Sequence, residues 1–382
     1  DIDPEITVVL GGPHPSVRYA KLLDDGDCDF CVVGEGEVTF REFIERFGAG
    51  ESLENIEGVA HKTNGKVEYT KRRPLDDLDE LPLPAYDLLN LDDYLNNPNL
   101  YKSRSAIPTK SVSIITSRGC PFNCVFCSIK LHMGKKFRFH SPEYVLRHFK
   151  YCVEEMGITN FHLEDDNISF KPLRFEAILD GIIDAKMDIQ WDTPNGIRAD
   201  SLNYRIVEKI KKSGCAGVQL AIESGNQKVL DTIVKKDTIL EKVIEIVGYC
   251  AELKINMCAF YIMGFPGETM SDMRETVELA VRLFKDYKVV PIMLFATPLY
   301  GTELYDVAVE HNMIDENISD EDYLTATQYY GEPLIATKEF SAEDLKSLAR
   351  EFEARINEHS GSNSLRQILN DKQSFFEEMQ SS

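Results

Sequence analysis

Three cysteines lie close together in the stretch SRGCPFNCVFC, residues 117–127. Cys120, Cys124 and Cys127 have the spacing C-x3-C-x2-C, and no fourth cysteine follows in step. A structural zinc ion takes four ligands, usually from C-x2-C pairs, and a ferredoxin supplies a cysteine to every iron. Three thiolates in one short loop instead suit a 4Fe–4S cluster that keeps one iron open for a small ligand. Three unconnected cysteines, or a zinc site completed from elsewhere in the chain, are the alternatives.

The cysteine loop belongs to a regular alternation of strands and helices that begins at Ser111. The six predicted strands are SVSIIT, NFHL, DIQW, GVQLAI, NMCAFYIM and VVPIMLF. Amphipathic stretches between them predict helices over 141–157, 172–187, from Leu202 onward, over 239–253 and over 271–287. The alternation has about the period of a βαβ unit and favours an α/β fold, a partial (β/α)6 barrel with a parallel sheet. A complete eight-fold barrel is the rival, but the strands are too few for it.

Polar and glycine-rich clusters follow the predicted strands, at the end where chemistry gathers in such barrels. After the cysteine loop they are EDDN (164–167), NGIRAD (195–200), ESGN (223–226), GFPGE (264–268) and TPLYGT (297–302). One such strand end is an ordinary loop. With the cysteine loop, these clusters make six polar strand ends in succession, which predict a shared site.

Two further units of strand, glycine turn and helix precede the barrel. They lie in DIDPEITVVLGGPHPS, with a strand predicted over residues 7–10, and in CDFCVVGEGEVTFREFIERF. Two units make a sheet too small to cover both its faces, so an incomplete Rossmann-like domain that lacks its first half is expected. The predicted divisions of the chain are this domain (1–50), a connector with a hairpin at Asn64-Gly65 (51–107), the barrel (108–315) and a helical extension (316–382).

Composition limits location and partners. The chain has 382 residues, 43% of them hydrophobic, and a formal net charge of −22. This acidity disfavours contact with phosphate backbones, so no nucleic-acid partner is expected. The sequence has no apolar run of membrane-spanning length and opens without a leader, so a cytoplasmic protein without a membrane span is expected. Nine cysteines in such a chain indicate metal binding, redox work or buried thiols.

The cysteine spacing, on the loop after the first barrel strand, resembles that of the radical S-adenosylmethionine (SAM) superfamily over residues 108–315. The resemblance implies that Cys120, Cys124 and Cys127 hold a 4Fe–4S cluster whose open iron binds the methionine part of SAM. One electron from the cluster then cleaves SAM to methionine and a 5′-deoxyadenosyl radical. These cysteines are therefore the predicted metal ligands and catalytic residues.

The resemblance also implies which strand-end residues contact SAM. They are Phe126, Asp165, Asp166, Arg198, Glu223, Ser224 and Gly264. The phenylalanine and the glycine are expected against the adenine, and the aspartates near the amino group. The arginine is expected to grip the carboxylate as a fork, and the Glu-Ser pair to reach the ribose hydroxyls.

The amino-terminal stretch resembles the cobalamin-binding class of these enzymes, in which a Rossmann-like domain precedes the barrel. In that class a Gly-Gly turn lies along the cobalamin nucleotide tail. The matching residues here are Gly11, Gly12, Gly34, Glu35 and Gly36. The D-x-H-x2-G motif that supplies a lower histidine ligand in some cobalamin proteins is absent, so cobalamin is expected on the strength of the glycine turns alone.

Three functions of different classes follow. The first is a cobalamin-dependent methyltransferase that acts on an unactivated carbon. The second is an oxidoreductase, cyclase or rearrangement enzyme of the same class without methyl transfer. The third is a non-catalytic iron–sulfur protein, which the polar and glycine-rich clusters at six strand ends disfavour. The expected partners are a small-molecule, lipid or peptide substrate and an electron donor such as flavodoxin or ferredoxin.

Overall fold

A computed structural model describes residues 3, 5–73, 75, 77–96, 107, 110–315, 318–327 and 331–381 of the chain. The strands are β1 (Val9–Gly11), β2 (Phe30–Val32), β3 (Val59–Thr63), β4 (Lys66–Tyr69), β5 (Ser111–Ile114), β6 (Ser117–Arg118), β7 (Arg138–Phe139), β8 (Asn160–Leu163), β9 (Gln190–Asp192), β10 (Cys215–Glu223), β11 (Met257–Met263) and β12 (Val290–Phe295). The α-helices are α1 (Pro13–Asp25), α2 (Glu37–Ala49), α3 (Leu91–Leu95), α4 (Ile129–His132), α5 (Pro142–Met156), α6 (Pro172–Asp184), α7 (Tyr204–Lys212), α8 (Gln227–Val229), α9 (Leu240–Glu252), α10 (Met270–Tyr287), α11 (Glu303–Glu310), α12 (Asp320–Ala326), α13 (Ala342–Asn357), α14 (Leu365–Asn370) and α15 (Lys372–Ser381).

Six parallel strands form the larger sheet, in the order β12-β11-β10-β9-β8-β5. All six predicted strands are present, and helical segments connect each of the first five to the next. β5 and β12 remain the two edges of this sheet. The predicted partial barrel is therefore confirmed.

Local sequence explains where the barrel helices begin. The Ser141 hydroxyl caps α5 by accepting from the backbone N–H of Tyr144 at 3.1 Å, and Pro142 occupies the first turn. Helix α7 begins at Tyr204, later than the predicted Leu202, because the Asn203 side chain caps it. These caps fix the residue at which each helix begins.

Aromatic side chains bind the helices to the outer face of the sheet. Phe161 of β8 packs edge-on against Phe149 of α5, with ring centroids 4.8 Å apart. Trp191 of β9 packs in the same manner against Phe175 of α6 at 6.2 Å. All four side chains are fully buried, and each such burial stabilises the fold by about 1.5–3 kcal/mol or more.

The amino-terminal unit is a smaller, mixed sheet in the order β1-β2-β3-β4. β1 and β2 are parallel, and β3 and β4 form the predicted hairpin. β1 begins two residues later than the strand predicted over 7–10 and ends one residue later. The hairpin pairs antiparallel with β2, so the sheet continues across the predicted division at residue 50. The reason is that β2 has a free edge on that side, which the hairpin fills with hydrogen bonds. The four divisions of the chain stay a prediction.

The carboxyl-terminal helices lie against the barrel. Helix α13 packs on α10, and Phe375 of α15 stacks on Phe284 of α10 with centroids 6.2 Å apart. The Lys372 side chain, at the start of α15, is buried. Among the described residues, no helix is long and apolar enough to cross a membrane.

Candidate active site at the cysteine loop

The cysteine loop joins the short strands β6 and β7, which pair antiparallel at its base. Gly119 enters the loop with a φ of +82°, and a Cβ there would lie 2.5 Å from the Lys136 carbonyl oxygen, so only glycine fits. The Cys120 N–H donates to the Gly134 carbonyl at 3.3 Å, and the Val125 N–H donates to the Val234 carbonyl at 3.1 Å. The loop is thus fixed by backbone contacts to its own far end and to the segment after β10.

The three cysteines fit the predicted cluster in number and setting. Cys120, Cys124 and Cys127 are free thiols of intermediate burial on this one loop, and the other six cysteines are buried. Among the described residues, no group of three or more His, Cys, Asp or Glu side chains is arranged to hold a single metal ion. A 4Fe–4S cluster makes a different demand, since each thiolate binds its own iron.

Charged groups surround the cysteines. Burial raises the pKa of the Cys124 thiol, the ammonium group of Lys236 lowers it and the carboxylate of Glu223 raises it further. Burial also raises the pKa of Cys127 to about 12. Because iron binds the thiolate, occupancy of this loop must displace protons from both thiols, and Lys236 favours that change at Cys124.

Asp165 and Asp166 follow β8 and lie in different surroundings. Asp165 is buried, accepts from the Thr116 N–H at 3.1 Å and from the Thr116 hydroxyl at 2.8 Å, and its pKa is raised by burial against the opposing charge of Arg174. Asp166 accepts from the Gly119 backbone beside Cys120, and burial raises its pKa to about 6. The structure therefore places Asp166 at the entrance of the cysteine loop and Asp165 beneath it.

Arg198 lies over the cysteine loop with its donors engaged. Its guanidinium forms an ion pair with Asp200 at 2.8 Å and donates to the Lys236 carbonyl at 2.8 Å. The same group lies 3.7 Å from the centroid of the Phe122 ring, a cation–π contact. The predicted role of this arginine toward the SAM carboxylate would require it to exchange at least one of these contacts.

Glu223 and Ser224 end strand β10 on the same side. Glu223 has a φ of +68°, a strained conformation for a residue with a side chain, and accepts from the Lys236 ammonium group at 2.7 Å in a buried ion pair. The Ser224 hydroxyl lies 3.1 Å from the Thr276 hydroxyl. Their predicted contact with ribose stays a prediction.

The GFPGE turn after β11 is shaped by its own glutamate. The Glu268 carboxylate accepts from the N–H groups of Gly264 and Phe265 at 2.9 and 2.8 Å, and burial raises its pKa to about 8. Phe265 in turn packs on Phe126 of the cysteine loop, with centroids 5.8 Å apart. Two predicted adenine contacts, Phe126 and Gly264, are thereby brought together through Phe265.

A pocket of about 550 Å³ separates the amino-terminal unit from the barrel. Its amino-terminal lining includes the glycine turns at Gly11, Gly12 and 34–36, and its barrel lining is Ile115, Arg118 and Met133. Gly12 has a φ of +103°, and neither Gly11 nor Gly12 has a neighbouring atom closer than 3.8 Å to an added Cβ. The turns therefore leave open space that any side chain would reduce.

Comparison with known proteins identifies the family of this chain. A family model for the radical SAM superfamily matches residues 114–280. Over 352 residues the chain is 33% identical to the uncharacterized methyltransferase PH0819 of Pyrococcus horikoshii, covering 92% of this chain and 72% of that protein. The chain belongs to the radical SAM superfamily. The family predicted from the cysteine loop is confirmed.

Two further comparisons give lower identities. The chain is 26% identical to the anaerobic magnesium-protoporphyrin IX monomethyl ester cyclase of Rubrivivax gelatinosus, over 73% of this chain and 50% of that one. The solved structure of the radical SAM methyltransferase TsrM from Kitasatospora setae, with cobalamin and a [4Fe-4S] cluster bound, has a TM-score of 0.63 at 18% identity. That alignment covers 89% of this chain and 64% of TsrM and supports the α/β fold with its amino-terminal unit.

Several site residues of this radical SAM enzyme were not found from the sequence. Arg174 donates to the carbonyl groups of Thr116 and His140 at 2.8 and 2.9 Å. Lys236 pairs with Glu223, and the Asn167 side chain lies 3.9 Å from the Cys120 sulfur. Asn167 and Glu268 belong to strand-end clusters and so carried a signal, whereas nothing near Arg174 or Lys236 in the sequence marks either one.

Proposed function

We propose that the chain is a cobalamin-dependent radical SAM methyltransferase that acts on an unactivated carbon of a small molecule. The observation that carries the proposal is the pocket between the two units, where the glycine turns face barrel residues adjoining the cysteine loop. Arg118 lines this pocket and stands two residues before Cys120. A cofactor held there would lie next to the site where SAM is cleaved, as methyl transfer to a substrate radical requires.

The barrel residues would hold the cluster and SAM. When bound, the cluster supplies the electron that cleaves SAM. Cys120, Cys124 and Cys127 would ligate it, and Lys236 would offset the negative charge that the thiolates bring into a partly buried site. Asp166 is the better placed of the two aspartates to orient the SAM ammonium group, since Asp165 is taken up by Thr116 and Ser117.

Around the adenine and ribose the proposal keeps the predicted contacts. Phe126 would offer its ring face, and the Gly264 backbone, held by Glu268, would approach the base edge. Glu223 would meet ribose hydroxyls while its charge is balanced by Lys236. Water exclusion follows from the burial of Glu223, Lys236 and Glu268 around the cysteine loop.

The amino-terminal pocket fits a cobalamin side chain better than a small polar ligand. Its lining is mostly apolar, through Val9, Phe40, Ile115 and Met133, with the charged groups of Glu35, Glu37 and Arg118 paired among themselves. A volume of about 550 Å³ lies in the range of ligand pockets. The glycine turns leave room for the cobalamin nucleotide tail to lie along the backbone.

A second candidate is ring formation or another radical reaction without methyl transfer, which the likeness to the protoporphyrin ester cyclase favours. PH0819 bears the name methyltransferase, and its likeness covers more of this chain at higher identity. We therefore place methyl transfer first. A small-molecule substrate and a protein electron donor complete the proposal under either chemistry.

The role of the pocket can be tested by a substitution that fills it with a side chain. Gly11→Leu projects a side chain into the pocket. Its Cβ meets only the Cβ and the carbonyl oxygen of Val32, at 3.8 and 3.9 Å, so the fold should survive. Gly48→Leu is the matched control, because a Cβ there meets nothing within 4 Å and Gly48 does not line the pocket. In a form of the protein with a complete amino-terminal domain, anaerobic dialysis against hydroxocobalamin should show uptake by the unaltered sequence and the control and loss in Gly11→Leu. Uptake that is absent from the unaltered chain, or equal in all three, would contradict the proposal.

A further inference from the structure

Four phenylalanines form a patch beside the cysteine loop. Phe137 packs on Phe170 with ring centroids 4.9 Å apart, and Phe122 and Phe139 adjoin them, each 5.9 Å from one member of that pair. All four side chains are half-buried, so each presents part of its ring to the surface. Phe122 stands between the predicted cluster ligands Cys120 and Cys124 in the sequence, so the patch includes part of the cysteine loop itself.

Lysines border these rings. Lys135 and Lys136 are exposed and adjoin Phe137, and the Lys135 ammonium group donates to the Asn123 side chain of the cysteine loop at 2.7 Å. Lys171 is exposed, follows Phe170 and lies 4.6 Å from the centroid of the Phe139 ring. The four phenylalanines and these three lysines are called here the phenylalanine patch. Clustered cations around an apolar centre stand out in a chain with a net charge of −22.

The opposite side of the loop is covered. Glu35 and Glu37 of the amino-terminal unit form ion pairs with Arg118 at 2.8 and 2.5 Å, and Arg18 of helix α1 lies 3.7 Å from the Tyr300 ring centroid. Helix α1 also packs on α4, which follows the cysteines. The amino-terminal unit therefore covers one side of the loop, whereas the phenylalanine patch is partly exposed to an approaching protein.

We propose that the phenylalanine patch is the docking surface for a small acidic electron-carrier protein that reduces the cluster, an inference that rests on the proposed function. The lysines would attract the acidic face of the carrier, and the partly exposed rings would supply the desolvated centre that specific interfaces need. One electron leaves the reduced carrier and enters the cluster, so the carrier is oxidised by one electron and no atom is exchanged. Phe122 gives that electron a short route, because it lies between two ligands of the cluster.

The test uses the reconstituted enzyme and flavodoxin reduced with light as the probe. The patch variant is Lys135→Glu/Lys136→Glu/Lys171→Glu. The control, Lys66→Glu/Lys186→Glu/Lys285→Glu, makes the same change in net charge at exposed lysines elsewhere. Stopped-flow absorbance measures cluster reduction by flavodoxin and, separately, by dithionite. Thermophoresis measures flavodoxin binding without any turnover. If the patch variant misfolds, a second variant with glutamine at the same three lysines removes the positive charges without adding negative ones.

We expect the patch variant to be reduced by flavodoxin at least about 10-fold more slowly, with weaker binding, and by dithionite at the unaltered rate. Reduction of the unaltered enzyme by flavodoxin should also slow as salt is raised, since exposed charges are screened. Equal rates for patch and control variants, or no flavodoxin binding to the unaltered enzyme, would overturn the docking surface. Failure of dithionite to support SAM cleavage would instead count against the proposed function, while the binding measurement would still decide the docking surface.

Discussion

The barrel and the amino-terminal sheet differ in how completely each buries its apolar side chains. In the barrel one continuous apolar core reaches from β5 to α15. The amino-terminal sheet has two small separate clusters, one centred on Cys31 and one on Phe43. One stripe of helix α2, comprising Phe40, Ile44 and Phe47, is about half exposed. The barrel thus has one continuous apolar core, whereas the amino-terminal unit leaves apolar side chains exposed to water.

This difference matches two kinds of site. Cluster and SAM chemistry needs ligands that are fixed before the cofactor arrives, and the barrel fixes them through buried pairs such as Glu223 with Lys236. The interdomain pocket is walled by the less filled unit, so its shape depends on the ion pairs of Glu35 with Arg118 and Arg138. We therefore expect the barrel to tolerate loss of the interface better than the pocket does.

The largest expected effect separates the cysteine loop from the other cysteines. Changing Cys120, Cys124 and Cys127 to alanine should remove the iron and reduce SAM cleavage under dithionite to background, because no thiolate remains to hold a cluster. The matched control is Cys250→Ala, at a buried thiol of helix α9. Iron and 5′-deoxyadenosine are the measured quantities. Unchanged iron content in the triple variant would show that the cluster lies elsewhere.

The next effect tests the support beneath the loop. Arg174→Met should leave Asp165 buried without its cation and lower the free energy of unfolding by about 3 kcal/mol. Arg147→Met, which changes an exposed arginine on α5, should cost less than about 1 kcal/mol. Urea denaturation of both variants measures the difference. Equal midpoints would mean that Thr116 and Ser117 alone satisfy Asp165.

Glu268 gives the barrel a pH dependence of known sign. Its pKa is about 8 in the folded chain, above the ordinary 4.5, so between those values the folded state holds a proton that the unfolded state has lost. Its contribution to stability is therefore present at low pH and lost as pH rises toward 8. Glu268→Gln cannot titrate, so its stability relative to the unaltered chain should improve by about 2 kcal/mol or more from pH 5 to pH 8.5. A pH-independent difference in unfolding free energy would show that Glu268 is ionised throughout.

The smallest effect concerns the interface. Glu35→Gln keeps the shape of the side chain and removes the charge that faces Arg118 and Arg138. Amide hydrogens of β1–β3 should then exchange about 10-fold faster, because local opening of that unit becomes easier, while β10 and β11 stay protected. Glu45→Gln, at an exposed pair on α2, serves as the control. Faster exchange in both sheets would show that the two units open together.

The barrel could be predicted from sequence because its signals are local. Each strand is a short apolar run with its turn residues beside it, and Ser141-Pro142 marks the start of α5. The pairing of the β3–β4 hairpin with β2 was not predicted, because it depends on which edge of β2 is free. No local pattern in residues 51–73 indicates which strand edge the hairpin pairs with.

The cysteine loop was likewise predictable, since its spacing alone limits the chemistry. The different surroundings of Asp165 and Asp166 were not predicted, because adjacent residues in extended chain face opposite sides and the pattern does not say which side holds Thr116. The Glu223–Lys236 pair depends on the positive φ of Glu223, a property of the folded turn. Such pairs form only when several strand ends meet.

The most direct test of the central claim is the fate of SAM during turnover. Reduced enzyme is incubated with SAM, methylcobalamin and candidate small-molecule substrates, and both nucleoside products are quantified by chromatography. A methyltransferase of this class uses one SAM for the radical and another as methyl source, so 5′-deoxyadenosine and S-adenosylhomocysteine should form in about equal amounts. Substrate-dependent 5′-deoxyadenosine without S-adenosylhomocysteine would contradict methyl transfer and favour ring formation or rearrangement.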